Sequence, residues 1–575
     1  MKHSARLNRH RSSRTLLLRF AFVLVFPLFA VSPCEAADPA PDGQIRITVL
    51  ETSDVHGRLL PWDYARARPE DVGLGRIASR VTAIRKENSN TLLLDGGDTI
   101  QGSPLEYLQA RRPEGRPDPM AAAMSLMRYD AMTVGNHEFN YGLEVLRKAE
   151  RESSFPWLSA NTRQTDGTAA FQEYVVREIG GVKVCVLGLT TPNIPSWEPE
   201  ANRPGLIWED PVVTARRLVP LLRTEKGCNV VVALFHSGLE IDVKTGQPDG
   251  TDAENRVVAL ARGVPGIDLI LTGHTHRRLP LTRIEGVPVL QPGRHGEVLA
   301  RADLILERRD GRYAVSSVTG ELLPSDASVP VDPAIARLAA PYHDRAVAHM
   351  DEVVAEATGP FPAERARLED SALLDLINGV QLGVTGADLS LTSLLPGGRY
   401  PGLAKGPVRV RDLYGLYPYE NQLVVVEIDG AKLKGILERA AEFFGDVHWD
   451  PEAHRLTLTQ NEKMIPYNFD ALAGAFYRID PTAPVGARVK DLSYQGRPVV
   501  PDDRFTLAVN AYRAQGAGGY IALKGARILR VYPSEIREIL IEKLREKKKI
   551  DPVVDRNWVV APDDVWAPEA PARPR

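Results

Sequence analysis

Gly135-Asn136-His137-Glu138-Phe139-Asn140 stands between the apolar run at 131–134 and a stretch with helical spacing at 142–151. Four other clusters share its chemistry: Asp54-Val55-His56-Gly57, Gly96-Gly97-Asp98, Phe235-His236-Ser237 and Gly273-His274-Thr275-His276. Each supplies Asp, His or Asn, and nearly all follow a run of Val, Leu, Ile or Thr. A metal site is built this way at the carboxyl ends of parallel strands, where loops from several strands meet. One Asp-x-His alone is as readily a turn or a satisfied histidine. Five such clusters, nearly all at the end of an apolar run, point to a metal centre.

Working outward, residues 44–50, 91–95, 131–134, 155–160, 230–235 and 268–271 read as strands, apolar on both faces as in sheets covered by helices. Helical spacing falls between them at 73–89, 119–129, 142–151 and 212–223. Residues 171–179 and 182–189 read as a hairpin about Gly180-Gly181. The Arg- and Pro-rich stretch 101–119 reads as a surface excursion, and 287–290 and 300–307 as antiparallel edge strands. This alternation predicts a layered α/β domain over 45–325. An alanine-rich linker helix at 333–356 leads to a second domain at 360–535, and 551–575 is a polar tail. There is no internal repeat, no Walker loop and no hydrophobic tail for anchoring.

A chain of 575 residues is too long for one core, so two large domains are expected. Its 71 Lys and Arg against 74 Asp and Glu argue against a duplex nucleic-acid binder, but leave room for a small anionic ligand. Residues 1–37 read as a signal peptide: six basic residues up to Arg19, an apolar run at 20–30 and small residues at Ala36 and Ala37. That run is short for a membrane span, and Pro33 before Cys34 is a poor fit to a lipidation site, so a periplasmic or secreted, unanchored protein is expected, acting as a monomer. Cys185 and Cys228 fit either free core thiols or a single bridge, and neither fits a cysteine-based metal site.

Hydrolysis of a phosphate ester needs charge neutralisation, an activated water and a stabilised leaving group, and two divalent metals supply the first two. Asp54, His56 and His276 could hold one; Asn136, His236 and His274 the other; Asp98 is the best bridge. Mixed nitrogen and oxygen donors suit Mn, Zn, Co or Fe better than Mg. His137, one residue past a ligand, is free to aim at the phosphate or the leaving oxygen. Glu138 reads equally as an orienting group or a helix N-terminal carboxylate. In the second domain, Tyr417 and Tyr419 with Asn421, Tyr467, and Tyr512 offer aromatic faces and an amide for a base, and Arg399 is a candidate phosphate contact.

With these motifs in place, the chain resembles the bacterial secreted 5'-nucleotidase family, and within it the periplasmic 2',3'-cyclic-nucleotide 2'-phosphodiesterase/3'-nucleotidase enzymes. The resemblance spans nearly the whole chain after the leader. It implies an N-terminal calcineurin-like metallophosphatase domain with αββα layers and a C-terminal α+β substrate-binding domain. It also implies two divalent metals on the seven residues above, a catalytic His137, and a base clamp of Tyr419 and Tyr512 with Asn421 nearby. The expected substrates are 2',3'-cyclic nucleotides, opened to 3'-nucleotides and then cleaved to nucleosides and phosphate. One position departs from many 5'-nucleotidases: Asn140 stands where an Asp partners the catalytic histidine, as in the cyclic-phosphodiesterase branch. The alternatives are a 5'-nucleotidase or UDP-sugar hydrolase, and a non-enzymatic secreted nucleotide-binding protein. A thiosulfate-handling relative would lack part of the metal set.

Overall fold

Two six-stranded sheets lie face to face in the N-terminal half of the computed structural model, which describes residues 43–243, 245–248, 254–309, 311–395, 400–450, 455–560 and 565–566. In the first sheet Gln44–Thr52, Thr91–Asp95, Ala131–Thr133 and Trp157–Leu158 run parallel. In the second, Val182–Thr190, Val230–His236, Leu269–Thr272 and Val287–Pro292 run parallel. Apolar side chains alternate between two destinations. Ile47, Val49, Leu92 and Leu94 from one sheet meet Val184, Val186, Val232 and Leu271 from the other in a shared core. Leu50 and Leu93 face the opposite way, among Ile77 and Val81 of the helix Leu74–Glu87. Cys185, Leu187, Val231 and Ala233 do the same on the second sheet, with Val212, Leu218 and Leu222 of the helix Pro211–Thr224. Helices outside and two sheets inside give αββα layers, and strands apolar on both faces follow from that burial.

Two sequence expectations need correction. Residues 101–119 are not only a surface excursion, because Pro104–Arg111 is a helix whose first six residues are buried. Ser103 caps it, its hydroxyl accepting from the Glu106 amide at 3.2 Å, and Pro104 sits where a missing N–H costs nothing. Its Tyr107 packs edge-on to Tyr141 and Tyr414, which gives it a core role that the arginine-rich composition conceals. Residues 300–307 are not an edge either. Val298–Arg309 lies inside its sheet, between Gln44–Thr52 and Arg312–Pro324, and its alternating pattern records one half-exposed face. At the far side of the second sheet the antiparallel edge is Arg278–Ile284, outside Val287–Pro292.

Pro333–Asp351 is a helix, capped by Asp332, and is followed directly by the strand Val353–Ala357. The C-terminal half centres on a five-stranded mixed sheet in the order Asp470–Ala473, Leu389–Ser393, Arg504–Asn510, Gln422–Asp429, Arg527–Glu535. Late in the chain, Trp558–Val560 pairs in parallel with Phe476–Ile479, and the buried Trp558 stacks on Tyr477.

Cys185 and Cys228 are bridged. Cys185 lies within an apolar strand and Cys228 just before one, so sequence pattern alone could not separate a core thiol from a half-cystine. The bridge closes a loop of sequence separation 43. Replacing both cysteines with serine is expected to lower the unfolding free energy by roughly 2–4 kcal/mol. Denaturant melts of the oxidised and serine forms measure it, and a change below about 0.5 kcal/mol would refute it.

Candidate metal centre

All the clusters singled out in the N-terminal half arrive at one place because each follows the carboxyl end of a strand. Asp54 and His56 follow Gln44–Thr52, Asp98 follows Thr91–Asp95, Asn136 follows Ala131–Thr133, His236 ends Val230–His236, and His274 and His276 follow Leu269–Thr272. The chain turns sharply there. Asp54, His56, Asp98, His274 and His276 all have left-handed φ between 50° and 71°. That conformation is unfavourable for residues with a Cβ and persists where surrounding contacts enforce it, often at functional sites. Gly135 and Gly273 leave room for the carboxylates: a Cβ at 135 would strike Asp98, and one at 273 would strike Ser53 and Asp54.

The donors fall into two groups whose ligand atoms all lie within 4.8 Å of one another: Asp54, His56 and His276, and Asp98, His236 and His274. In the first, the Nε2 atoms of His56 and His276 face each other at 3.0 Å, and Asp54 Oδ1 is 3.4 Å from His276 Nε2. In the second, Asp98 Oδ2 lies 3.0 Å from His236 Nε2, and Asn136 Oδ1 lies 3.1 Å from His236 Nε2 and 2.9 Å from His274 Nδ1. Lone pairs converging in this way, with a buried carboxylate oxygen that accepts no well-aligned hydrogen bond, suit a cation. Burial and the neighbouring His276 pull His56 down to about 3, and burial and His236 pull His274 down to about 3. Both are therefore neutral imidazoles, the form that ligates metal. Burial alone would lower His236, but the Asp98 carboxylate outweighs it and pushes His236 up to about 10.

Residues outside these motifs hold the donors in place. His236 Nδ1 faces the Gly96 carbonyl at 2.6 Å, which fixes a proton there and aims Nε2 at Asp98 and Asn136. His56 Nδ1 meets Gln101 Oε1 at 3.3 Å, and Gln101 Nε2 donates to Glu420 Oε2 at 2.9 Å. Glu420 in turn binds the buried Arg537. A donor of the N-terminal half is thus braced from the C-terminal half. Glu138 accepts from the backbone amides of Asp98, Thr99 and Gly135 at 2.6–2.9 Å, so it ties two donor loops together. Gln101 has no local motif and Glu420 stands between Tyr419 and Asn421 with no role read for it, and nothing short of the fold brings them to His56.

His137 lies beside the donors, its ring 5.2 Å from that of His56 and its backbone amide donating to Asp98 Oδ1 at 2.7 Å. His137 Nδ1 meets Asn140 Oδ1 at 2.6 Å. Tyr419 and Tyr512 are half-exposed, and Tyr512 has Tyr467, Glu254 and Tyr419 among its electrostatic neighbours. Glu254 is 4.0 Å from His274 Nε2. Asn421 is half-buried beside the Tyr417 hydroxyl, which is itself in the core. Arg399 lies outside the described residues.

Comparison with known proteins agrees with this architecture. Residues 47–278 match the calcineurin-like phosphoesterase family and residues 352–525 match the 5'-nucleotidase C-terminal domain. The chain is a metal-dependent hydrolase of the calcineurin-like phosphoesterase class. It is 31% identical to the 2',3'-cyclic-nucleotide 2'-phosphodiesterase/3'-nucleotidase of Haemophilus influenzae, over 90% of this chain and 88% of that one. It is 29% identical to the trifunctional nucleotide phosphoesterase protein YfkN of Bacillus subtilis, covering 97% of this chain but 42% of that longer protein. A crystal structure of a putative 5'-nucleotidase from Staphylococcus aureus superposes with a TM-score of 0.76 at 28% identity, over 90% of this chain and 100% of the other. The chain belongs to the 5'-nucleotidase family.

Proposed function

We propose that this protein hydrolyses 2',3'-cyclic nucleotides to 3'-nucleotides, and those to nucleosides and phosphate, at a centre of two divalent metals. The observation that carries this reading is the two donor groups, Asp54, His56 and His276 and Asp98, His236 and His274, and the half-exposed Tyr419 and Tyr512 of the C-terminal half support a base site. The similarity to relatives named for that double activity supports the choice of substrate. Asp54, His56 and His276 would hold one ion and Asn136, His236 and His274 the other, with Asp98 as the carboxylate that would serve both. Mn, Zn, Co or Fe fits such a donor set. When bound, the two ions supply an activated water and neutralise charge on the phosphoryl group.

The rest is done by side chains. Tyr419 and Tyr512 hold the base between aromatic faces, Asn421 meets its edge, and Arg399 takes part in holding the phosphate. Stacking tolerates sliding and base identity, so the ribose can present first the 2' ester and then the 3' ester to one centre. His137 gives a proton to the leaving ribose oxygen. The N-terminal 45–325 is the metal-bearing domain and 360–535 the nucleotide-binding domain, joined by the helix within 333–356. The leader at 1–37 sends the chain to the periplasm or out of the cell as an unanchored monomer. The Cys185–Cys228 bridge is in keeping with an oxidising compartment, and among the described residues no helix is long and apolar enough to cross a membrane.

The test is a substrate panel with added Mn: 2',3'-cyclic AMP, 3'-AMP and 5'-AMP, followed by chromatography. Cyclic AMP should pass through 3'-AMP to adenosine, with 5'-AMP cleaved at least ~10-fold more slowly. The Tyr419→Ala, Tyr512→Ala double variant should raise KM for both steps by roughly 10- to 100-fold, the value of one or two lost stacking contacts. Faster turnover of 5'-AMP than of either other substrate would replace this reading with a 5'-nucleotidase. Metal-loaded protein that releases no phosphate from any of the three would make it a binding protein.

A further inference from the structure

We propose that Glu198 is a positioning residue for His137, acting through Asn140 and supplying the negative charge that Asn140 lacks. The proposal rests on His137 acting on the leaving oxygen. Glu198 is 58 residues from Asn140 in sequence and only 8% exposed. Both of its carboxylate oxygens are engaged by amide groups: Oε1 accepts from Asn140 Nδ2, and Oε2 from Asn202 Nδ2 at 2.9 Å. The loop carrying it is pinned further. Asn202 also donates to the Asn140 carbonyl at 3.3 Å, and Arg203 Nε to the Glu198 carbonyl at 2.9 Å. One residue earlier, the Trp197 ring lies against the His274 ring, with centroids 5.3 Å apart and planes tilted by 33°. This one loop therefore bears on a metal donor and on the histidine's partner together.

The hydrogen-bond inventory fixes the sense of the relay. An ionised carboxylate only accepts, so Glu198 requires the NH2 side of the Asn140 amide. Turned over, Asn140 would present its oxygen to the Glu198 carboxylate, two acceptors face to face. With the amide so oriented, Asn140 Oδ1 must face His137, and His137 Nδ1 must carry the proton it donates at 2.6 Å. Nε2 is then the ring nitrogen left for the substrate. A carboxylate at 140 would stabilise a protonated His137 directly. Here the charge stands one amide further away, in a buried setting where solvent screens it weakly. His56, Gln101 and Glu420 repeat the arrangement at the other end of the centre, again histidine, amide, carboxylate.

The experiment measures kcat, KM and metal content on 2',3'-cyclic AMP for Glu198→Ala, Asn140→Asp, the double Asn140→Asp, Glu198→Gln, and His137→Ala. Glu198→Ala should keep both metals and a KM within about twofold of wild type, while kcat falls roughly 10- to 100-fold, as for lost outer-shell partners elsewhere. Asn140→Asp alone sets two carboxylates against each other and should lose activity comparably. Adding Glu198→Gln restores a donor facing the new carboxylate, and kcat should return to within about threefold of wild type. A purely structural loop would not be repaired by exchanging amide and acid. If His137→Ala is inactive but Glu198→Ala turns over normally, the relay is wrong and the function stands. A double variant no better than Asn140→Asp alone overturns the relay even if Glu198→Ala does not fold. Full activity of His137→Ala would remove the role of His137 on which the relay depends.

Discussion

Asp98→Ala is expected to emerge from dialysis with less than one divalent ion per chain and with turnover reduced on the order of a thousandfold, equivalent to about 4 kcal/mol of transition-state stabilisation. The size follows from where the carboxylate sits. Asp98 is 1% exposed, one oxygen faces His236 Nε2 at 3.0 Å, and the other accepts the His137 backbone amide at 2.7 Å. Burial alone would raise its pKa, but His236 and His137 outweigh burial and hold it well below the usual carboxylate range, with His56 of the other donor group adding to the effect. Removing it strips charge from both groups and also unties the His137 loop. Asp54→Ala removes one donor of one group and should leave about one ion bound per chain. Elemental analysis alongside phosphate release decides between the two. Two ions per chain in Asp98→Ala, with near-normal turnover, would take Asp98 out of the centre altogether.

That the clusters, Asp98 among them, meet at strand ends as the sequence predicts reflects a constraint on the backbone. A donor at a strand end needs an apolar run before it, to bury the strand, and often a glycine beside it, to let the carboxylate approach. Gly135 and Gly273 are both written in the motifs, and both turn out to be places where a Cβ would collide with a donor carboxylate or its neighbour. The alternation of helix and strand was legible for the same reason: strands such as Val230–His236, buried on both faces, have no choice but to be apolar throughout. What the sequence hid depends on contacts between distant segments. The helix Pro104–Arg111 read as part of a surface excursion because the arginines and prolines of 111–119 dominate the stretch, while its burial is set by Tyr414 and Tyr141 from elsewhere in the chain. Val298–Arg309 looked like an edge because alternation reports exposure of a face, and says nothing about whether another strand lies beyond. Glu198 and Gln101 carry no motif, Glu420 stands between Tyr419 and Asn421 with no role read for it, and only folding brings them to Asn140 and His56.

His137→Ala should retain both metals and an unchanged KM while kcat on ribose esters falls by roughly 10²- to 10⁴-fold, the range typical of losing a general acid. Metal retention is expected because His137 reaches Asp98 through its backbone amide, which alanine keeps. Its ring contributes elsewhere: Nδ1 is taken by Asn140 Oδ1 at 2.6 Å, so Nε2 is the nitrogen available to a leaving oxygen. Burial alone would lower the pKa of His137, but Asp98, Asn140 and Glu198 outweigh it and raise it, which favours the protonated ring. A ribose alkoxide is a poor leaving group and needs that proton. A p-nitrophenolate is a good one and does not, so the same variant should lose less than about 10-fold on p-nitrophenyl phosphate esters. The comparison separates two roles that a single assay would merge. An equal loss on ribose and p-nitrophenyl esters would mean that His137 stabilises the phosphoryl group rather than protonating the leaving oxygen, and loss of metal from the variant would place it among the ligands.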